Sequence, residues 1–506
     1  MARSALALTA AVVLVELSSV VAATAAGAQV AGAQMSRTDV ADDQWAVCDR
    51  ITTDHPTPPA GAVVVEPVDG GVQGATAEHP AGTTFWLAPG THTLGEDEFG
   101  QVMPKDGNVY LGARDAILDG RDRNRYAFTG DADDVVLRNL TVVNFVAPRD
   151  EGVVNHDSGD GWVIEHNTIQ NNGGAALMAG VGQVVRGNCL RDNGQYGINA
   201  YKPGGLASLV VEGNEITGNN TDDWESQTPG CGCTGGAKFW AVDGADIRDN
   251  WVHDNRGAGL WADTNNNDFL VERNLFENND AEAFFYETSY NAVIRDNVFR
   301  GNTIVQGRAF AGRGDDFPVG TVYVSESGGD PRVPARTDRL EIQHNTFEHN
   351  WSGITLWENA DRFCNSPANT STGHCTKLVA EPGQCTQPAI AQKPLLDDCR
   401  WKTQRVDIHD NRFTFDPAAL NCDTLCGRMA VLSNWGTYPE WSPYMGQAVQ
   451  QAITFEQENT WRDNVYVGPW TFTPYDRSRV LQPPEWQGDP YQQDVCSAFT
   501  LLPTTC

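Results

Sequence analysis

From residue 163 to residue 350 apolar and polar positions alternate in short runs, and asparagine closes each run at a fixed place. VIEHNTIQNN, VVRGNCLRDN, VVEGNEITGN, DIRDNWVHDN, LVERNLFENN, VIRDNVFRGN and EIQHNTFEHN share one order: apolar, two residues, Asn, one residue, apolar, then a second Asn. The pairs are Asn167/Asn172, Asn188/Asn193, Asn214/Asn219, Asn250/Asn255, Asn274/Asn279, Asn297/Asn302 and Asn345/Asn350. Flanking versions give Asn139/Asn144, Asn411 with Asp416, and Asn459/Asn464, so the repeat spans 130–470. Its shortest intervals are 21, 23 and 24 residues. Alternation with period two predicts strands, and a fixed interval of this size predicts a stacked repeat. Stacking lets each short strand pair in parallel with the next coil and bury one continuous core. An Asn recurring in every coil predicts a ladder in which side-chain amides bond the coils above and below. Turns alone would favour Asn but would not hold two at constant spacing.

Three insertions interrupt the repeat, at 220–236, 303–338 and 361–404, and loops this long in a solenoid form walls or caps. Residues 29–129 are expected to be an amino-terminal cap with first irregular coils, 130–470 the solenoid, and 471–506 a carboxyl-terminal cap or tail. The Asn-punctuated coils resemble the right-handed parallel β-helix of the pectin-lyase-like superfamily. GVVNHDSG (152–159), GLWADTNN (259–266) and NWGTYPEWSPY (434–444) further resemble a group of secreted bacterial β-helix proteins. The resemblance implies an all-β, single-stranded parallel β-helix. Members include polysaccharide lyases, glycoside hydrolases, epimerases and non-catalytic surface proteins, so chemistry has to be read from the site.

After each Asn pair comes one more strand: GVVNH (152–156), GINAY (197–201), KFWAV (238–242), GLWAD (259–263), AFFYE (283–287), TVYVS (321–325) and GITLW (353–357). With the second and fourth residues inward, the third and fifth face out. One outward column then carries Asn199, Trp240, Trp261, Phe285, Tyr323 and Thr355. The other carries His156, Tyr201, Val242, Asp263, Glu287, Ser325 and Trp357, with Glu326 and Glu358 just beyond. An aromatic strip suits the CH faces of sugar rings, or else packs beneath an insertion. Asp263 and Glu287 on adjacent rungs would lie roughly 4.8 Å apart at their Cα atoms. Like charges that close split their pKa values, giving the proton donor and the carboxylate of glycoside hydrolysis. As turn residues, the two acids would instead bond local amides.

Asp263, Glu287, Glu326 and Glu358 are thus the candidate catalytic acids, and Trp240, Trp261, Phe285, Tyr323, Trp357, Lys238 and Tyr201 the candidate substrate contacts. A lyase or C5-epimerase acting on uronate glycans is the alternative. It needs a base and cationic help from Lys238, Arg308, Arg313 or Ca²⁺ held by Asp315, Asp316, Asp263 and Glu287. His156 beside Asp157 is a further candidate base. Hydrolysis needs no cofactor. A non-catalytic glycan-binding or surface protein is the third reading.

Charge narrows the partners. With 35 Lys plus Arg against 66 Asp plus Glu the net charge is −31, which disfavours nucleic acid and polyanions not bridged by cations. Residues 1–28 run from Arg3 through ALALTAAVVLV to ATAAGA, the order of a secretory signal cut near Ala25 or Ala28, although Glu16 interrupts the apolar run. No other stretch is apolar enough for a membrane span. Twelve Cys, six of them between 364 and 426, suit disulfide-tied loops in an oxidising compartment better than zinc sites. The chain is expected to be secreted and to act on a polysaccharide.

Overall fold

A computed structural model describes residues 44–50, 55–367, 374–422, 424–436 and 440–500; the signal segment 1–28 and Cys506 lie outside them. Coils contribute strands to three sheets of 13, 13 and 10 strands, every neighbouring pair parallel. In one coil, Val163–Glu165, Thr168–Gln170 and Ala175–Met178 pair with Val184–Arg186, Cys189–Arg191 and Ile198–Ala200 of the next. The fold is a right-handed parallel β-helix, the hand that twisted strands impose on parallel crossovers.

The corner between the first two strands shows why the repeat reads as it does. The residue before the ladder Asn is left-handed in coil after coil, with φ of 57° at His166, 57° at Asp249, 51° at Arg273 and 56° at Asp296. The Asn that follows is buried and fixes the corner. Asn167 through its backbone N–H and Nδ2 donates to Asn188 Oδ1 at 2.9 and 3.1 Å, and Asn188, Asn214, Asn250, Asn274, Asn297, Asn345 and Asn411 continue the chain to Asn464. A second ladder runs from Asn172 through Asn193, Asn219, Asn255, Asn279 and Asn302 to Asn350. Removing a rung leaves buried donors and a carbonyl without partners, so Asn274→Ala is expected to cost roughly 2–4 kcal/mol of unfolding free energy. Denaturant unfolding checks this; a loss below about 0.5 kcal/mol would show that the ladder is dispensable.

Four of the expected ladder sites, Asn139, Asn144, Asn464 and Asp416, take another place. Asn139 and Asn144 occupy the left-handed corner, with φ of 61° and 59°, and Leu140 and Phe145 take the ladder place, donating to Asn167 and Asn172. Asn tolerates that conformation, so a one-residue slip leaves the motif intact. Asn464 extends the first ladder rather than the second, and Asp416 caps the helix Pro417–Leu420 through Ala418 N. Parallel pairing also begins at Val63–Val65, well before residue 130, because the first coils stack without Asn.

Inside, Ile164, Val185, Val211, Ile247, Val271, Ile294, Ile342 and Ile408 form one buried file. A second file of rings, Phe276, Phe299, Phe347, Phe413, Tyr466 and Phe499, stacks at 4.5–5.1 Å. Each such side chain contributes about 1.5–3 kcal/mol by leaving water. The insertions sit outside this core. The first holds Cys231–Cys233, the second the helix Ile304–Arg313, and the third Cys364–Cys375 and Cys385–Cys399 around Phe363, Ile390 and Tyr444. Cys48–Cys189 and Cys422–Cys426 complete the disulfides among the described residues, where Cys496 is free. No helix among the described residues is long and apolar enough to cross a membrane.

Candidate functional site

The ten-stranded sheet carries the site. Its strands Ala237–Trp240, Leu260–Asp263, Phe284–Glu287, Val322–Ser325 and Ile354–Asn359 lie side by side. Phe239, Leu260, Ala262, Phe284, Tyr286, Val322, Val324 and Leu356 point into the core, so the residues between them face outward. One outward column is Lys238, Trp261, Phe285, Tyr323 and Thr355. The other is Trp240, Asp263, Glu287, Ser325 and Trp357, continued from Tyr201, which stands exposed beyond the Ala200–Phe239 pair.

The KFWAV strand is therefore two residues off its expected register. Lys238, not Trp240, stacks beneath Trp261, and Trp240 lies beneath Asp263. A slip of two preserves the alternation, so the apolar pattern does not decide it. A Cβ on Gly235 would lie 2.1 Å from Ala258 O, so the chain enters this strand through a position that only glycine fits. Val242 opens the next strand instead, and His156 leaves the acid column because Val154 pairs inward with Leu177. His156 stacks on Tyr126 at 3.8 Å.

Trp261, Phe285 and Tyr323 stack face to face at 4.8 and 4.7 Å. Trp261 and Phe285 remain half-buried, whereas Tyr323 and Thr355 are covered: Phe317 meets Tyr323 and Trp357 edge-on, and Thr355 donates to Pro318 O at 2.7 Å. The strip is thus open at Trp261 and Phe285 and roofed by the second insertion farther along. Trp240 meets His374 of the third insertion at 5.1 Å. The first insertion walls the other side, where Gly232 O accepts from Lys238 Nζ at 2.5 Å and a Cβ at Gly232 would meet Trp261 at 2.8 Å.

Beside the strip runs a buried row of charges. Lys238 Nζ lies 3.1 Å from Asp263 Oδ2 and 4.0 Å from the Trp261 ring centre. Asp263 also accepts from Thr264 Oγ1 at 2.7 Å. Trp261 Nε1 donates to Glu287 Oε2 at 2.9 Å, while Arg362 Nη1 contacts Glu287 Oε1 and lies 3.2 Å from Glu326 Oε2. Ser325 Oγ and the Asn359 N–H complete the shell of Glu326 at 2.6 and 2.8 Å. Burial pushes the Glu287 carboxyl up; Arg362 opposes this and Asp263 adds to it. Burial raises Glu326 as well, again against Arg362. Three acids face two cations, and an uncompensated buried charge is expensive, so one guanidinium serves two carboxyls that burial holds above the ordinary range. The row sets the Glu287 carboxyl, raised by burial, beside Asp263 in its contact with Lys238.

Arg362 is the residue that sequence reasoning missed. It opens the third insertion, which carries no repeat and hence no register. Glu326 sits in the row, but Glu358 does not. Glu358 is enclosed by Arg400 Nη1, the Thr403 N–H and Gln457 Nε2 at 2.9, 2.7 and 2.6 Å, a tie between the third insertion and the body. Arg308 donates to Leu420 O, and Arg313 lies over the Phe310 ring. Asp315 and Asp316 face Arg477 at 3.9 and 3.3 Å. Among the described residues, the one group of three close metal-ligating side chains is Cys364, Cys375 and Cys385, all in disulfides.

Glu282, also missed, precedes the Phe284–Glu287 strand and accepts from Gln306 Nε2 at 3.2 Å. Burial pushes its carboxyl up to about 7 from an ordinary 4.5. A raised folded-state value means the fold prefers the protonated form, so this stabilisation is complete below about pH 4.5 and is lost as pH rises through about 7. Glu282→Gln should therefore gain stability relative to the unmodified protein between pH 5 and about 8, read from melting temperatures. A difference that stays flat with pH would reject the shift.

The model for the right handed beta helix region matches residues 151–329. Solved structures similar to this chain include the catalytic unit of a GH87 α-1,3-glucanase from Streptomyces thermodiastaticus, at 12% identity and TM-score 0.45 over 90% of this chain and 70% of that one. The mannuronan C-5 epimerase A-module of Azotobacter vinelandii aligns at 12% and 0.34 over 68% and 89%, and a periplasmic alginate epimerase at 13% and 0.38 over 74% and 80%. No curated protein matches the sequence. The three parallel sheets and the matched central coils make this chain a right-handed parallel β-helix.

Proposed function

We propose that the chain is a carbohydrate-active β-helix that binds an extended, neutral polysaccharide across Trp261 and Phe285 and hydrolyses a glycosidic bond beside them. The observation that carries this reading is the in-register pair Asp263 and Glu287, set between Lys238 and Arg362 and bordered by stacked rings. Glu287, raised by burial, gives its proton to the leaving oxygen. Asp263, paired with Lys238, acts at the anomeric carbon directly or through water. Trp261, stacked between Lys238 and Phe285, turns its indole edge to the sugar and orients Glu287 through Nε1. Both cations of the row are engaged by protein carboxylates, which favours a neutral ring over a uronate at this point.

Disulfides across the described coils and loops support an oxidising, extracellular setting. The test is a panel of neutral and uronate polysaccharides incubated with the purified protein, read for new reducing ends and for the ultraviolet absorbance of unsaturated uronate. Reducing ends without that absorbance, lost in Asp263→Asn/Glu287→Gln, are expected. Absorbance abolished by a chelator would instead identify a calcium-dependent lyase. Retention without any product would identify a glycan-binding protein.

A further inference from the structure

We propose that the turn Cys231-Gly232-Cys233 is a positioning element for the carboxylate row, its disulfide holding the Gly232 carbonyl where the Lys238 ammonium group docks. The effect on catalysis rests on the hydrolase reading above. Gly232 is the one residue between two bonded cysteines. Its carbonyl accepts from Lys238 Nζ at 2.5 Å, and that Nζ lies 3.1 Å from Asp263 Oδ2 and 4.0 Å from the Trp261 ring centre. Gly232 also sits against the Trp261 ring, and Trp261 Nε1 donates to Glu287 Oε2. One turn therefore backs both members of the acid pair, Asp263 through Lys238 and Glu287 through Trp261.

Chemistry at the turn accounts for the bridge. Gly232 has a φ of 59°, and a Cβ there would lie 2.8 Å from the Trp261 ring, so the position requires glycine twice over. Glycine is also the residue with the most backbone freedom to lose, and Gly230 adds to it at a φ of 79°. A disulfide closed across Gly232 removes much of that freedom before folding. The lysine needs such an acceptor, because its four-carbon stem leaves the ammonium group mobile unless fixed groups meet it.

The turn is itself fastened to the solenoid. Cys233 is 3% exposed and packs with buried Tyr196 and Ala175. Its carbonyl accepts from Gln195 Nε2 at 3.3 Å, the Tyr196 hydroxyl donates to Gly232 O at 3.4 Å, and the Gly232 N–H donates to Glu225 Oε2 at 3.2 Å. Tyr196 and Gln195 lead into the strand Ile198–Ala200, which pairs with the Lys238 strand, so the carbonyl is held from the neighbouring coil as well as across the bridge.

Two double-mutant cycles test this, each crossing Cys231→Ser/Cys233→Ser with Lys238→Met. The first reads the denaturant midpoint and needs no substrate. Loss of the bridge is expected to lower the midpoint less when Lys238 is already gone than when it is present, because the lysine contact can be lost only once. The second reads kcat on a polymer that the protein cleaves. Loss of the bridge should cost about tenfold with Lys238 present and under about twofold without it. If the bridge-free protein does not fold, Gly232→Ala, which keeps the disulfide and crowds Trp261, replaces it in both cycles with the same expected coupling. Additive losses in kcat overturn the proposal and leave the hydrolase reading standing, since the bridge then only staples the first insertion. If the unmodified protein cleaves no polymer, the hydrolase reading fails and the midpoint cycle alone decides: coupling upholds the positioning of Lys238, and additivity overturns it.

Discussion

Arg362→Ala is expected to lower unfolding free energy by about 3–5 kcal/mol at neutral pH, the usual cost of removing one partner from a buried ion pair. The guanidinium is in direct contact with both Glu287 and Glu326, and its side chain is 11% exposed. Without it both carboxyls, already raised by burial, move further up and take up protons. A carboxyl raised in the fold contributes stability at low pH and loses it as pH rises through its folded value. The penalty should accordingly be smaller at pH 5 than at pH 8. Urea unfolding at the two values measures it. Glu326→Gln in the same background removes one of the stranded acids and should recover part of the loss, whereas Arg362→Lys keeps a charge but loses the planar guanidinium whose Nη1 meets both carboxylates. A loss under about 1 kcal/mol, equal at both pH values, would mean the row is hydrated and does not bury its charge.

That such a row exists was half legible in the chain. Asp263 and Glu287 end two alternating strands separated by a clean repeat, so their adjacency follows from register alone. Glu326 was legible too, one step past the matching strand end. Lys238 and Trp240 fall on the expected face and rung but Trp240 in the wrong column, because period-two alternation survives a two-residue slip. Arg362 was not legible: it enters from an insertion whose path is set by disulfides and by contacts such as Asn265 Nδ2 to Cys375 O at 2.7 Å, not by any period. The ladders show the same division. Where Asn recurs in stacked coils the sequence names the rung, and where Asn139 takes the left-handed corner the motif is identical but the role differs. Periodic structure is written in the periodic residues; the chemistry depends on what the insertions fold back onto them.

Glu287→Gln is expected to lower kcat on an unactivated polysaccharide by about 10²–10⁴-fold, the range that a positioned general acid supplies. The substitution preserves shape and leaves an amide oxygen for Trp261 Nε1, so substrate contacts persist and KM should change little. It also leaves Arg362 paired one to one with Glu326, removing the surplus acid, so stability at pH 8 should not fall. These two readouts separate lost chemistry from lost folding. Aryl glycosides with good leaving groups need little protonation and should be partly spared by Glu287→Gln. Asp263→Asn should be slow on both substrates, because a neutral amide can neither attack the anomeric carbon nor activate water there. Combining the two substitutions should cost little more than the worse single one, since both serve one transition state. If leaving-group quality makes no difference to Glu287→Gln but rescues Asp263→Asn, the roles of the two carboxyls are exchanged. If neither variant slows cleavage, the carboxylate pair is a structural brace and catalysis belongs to other residues.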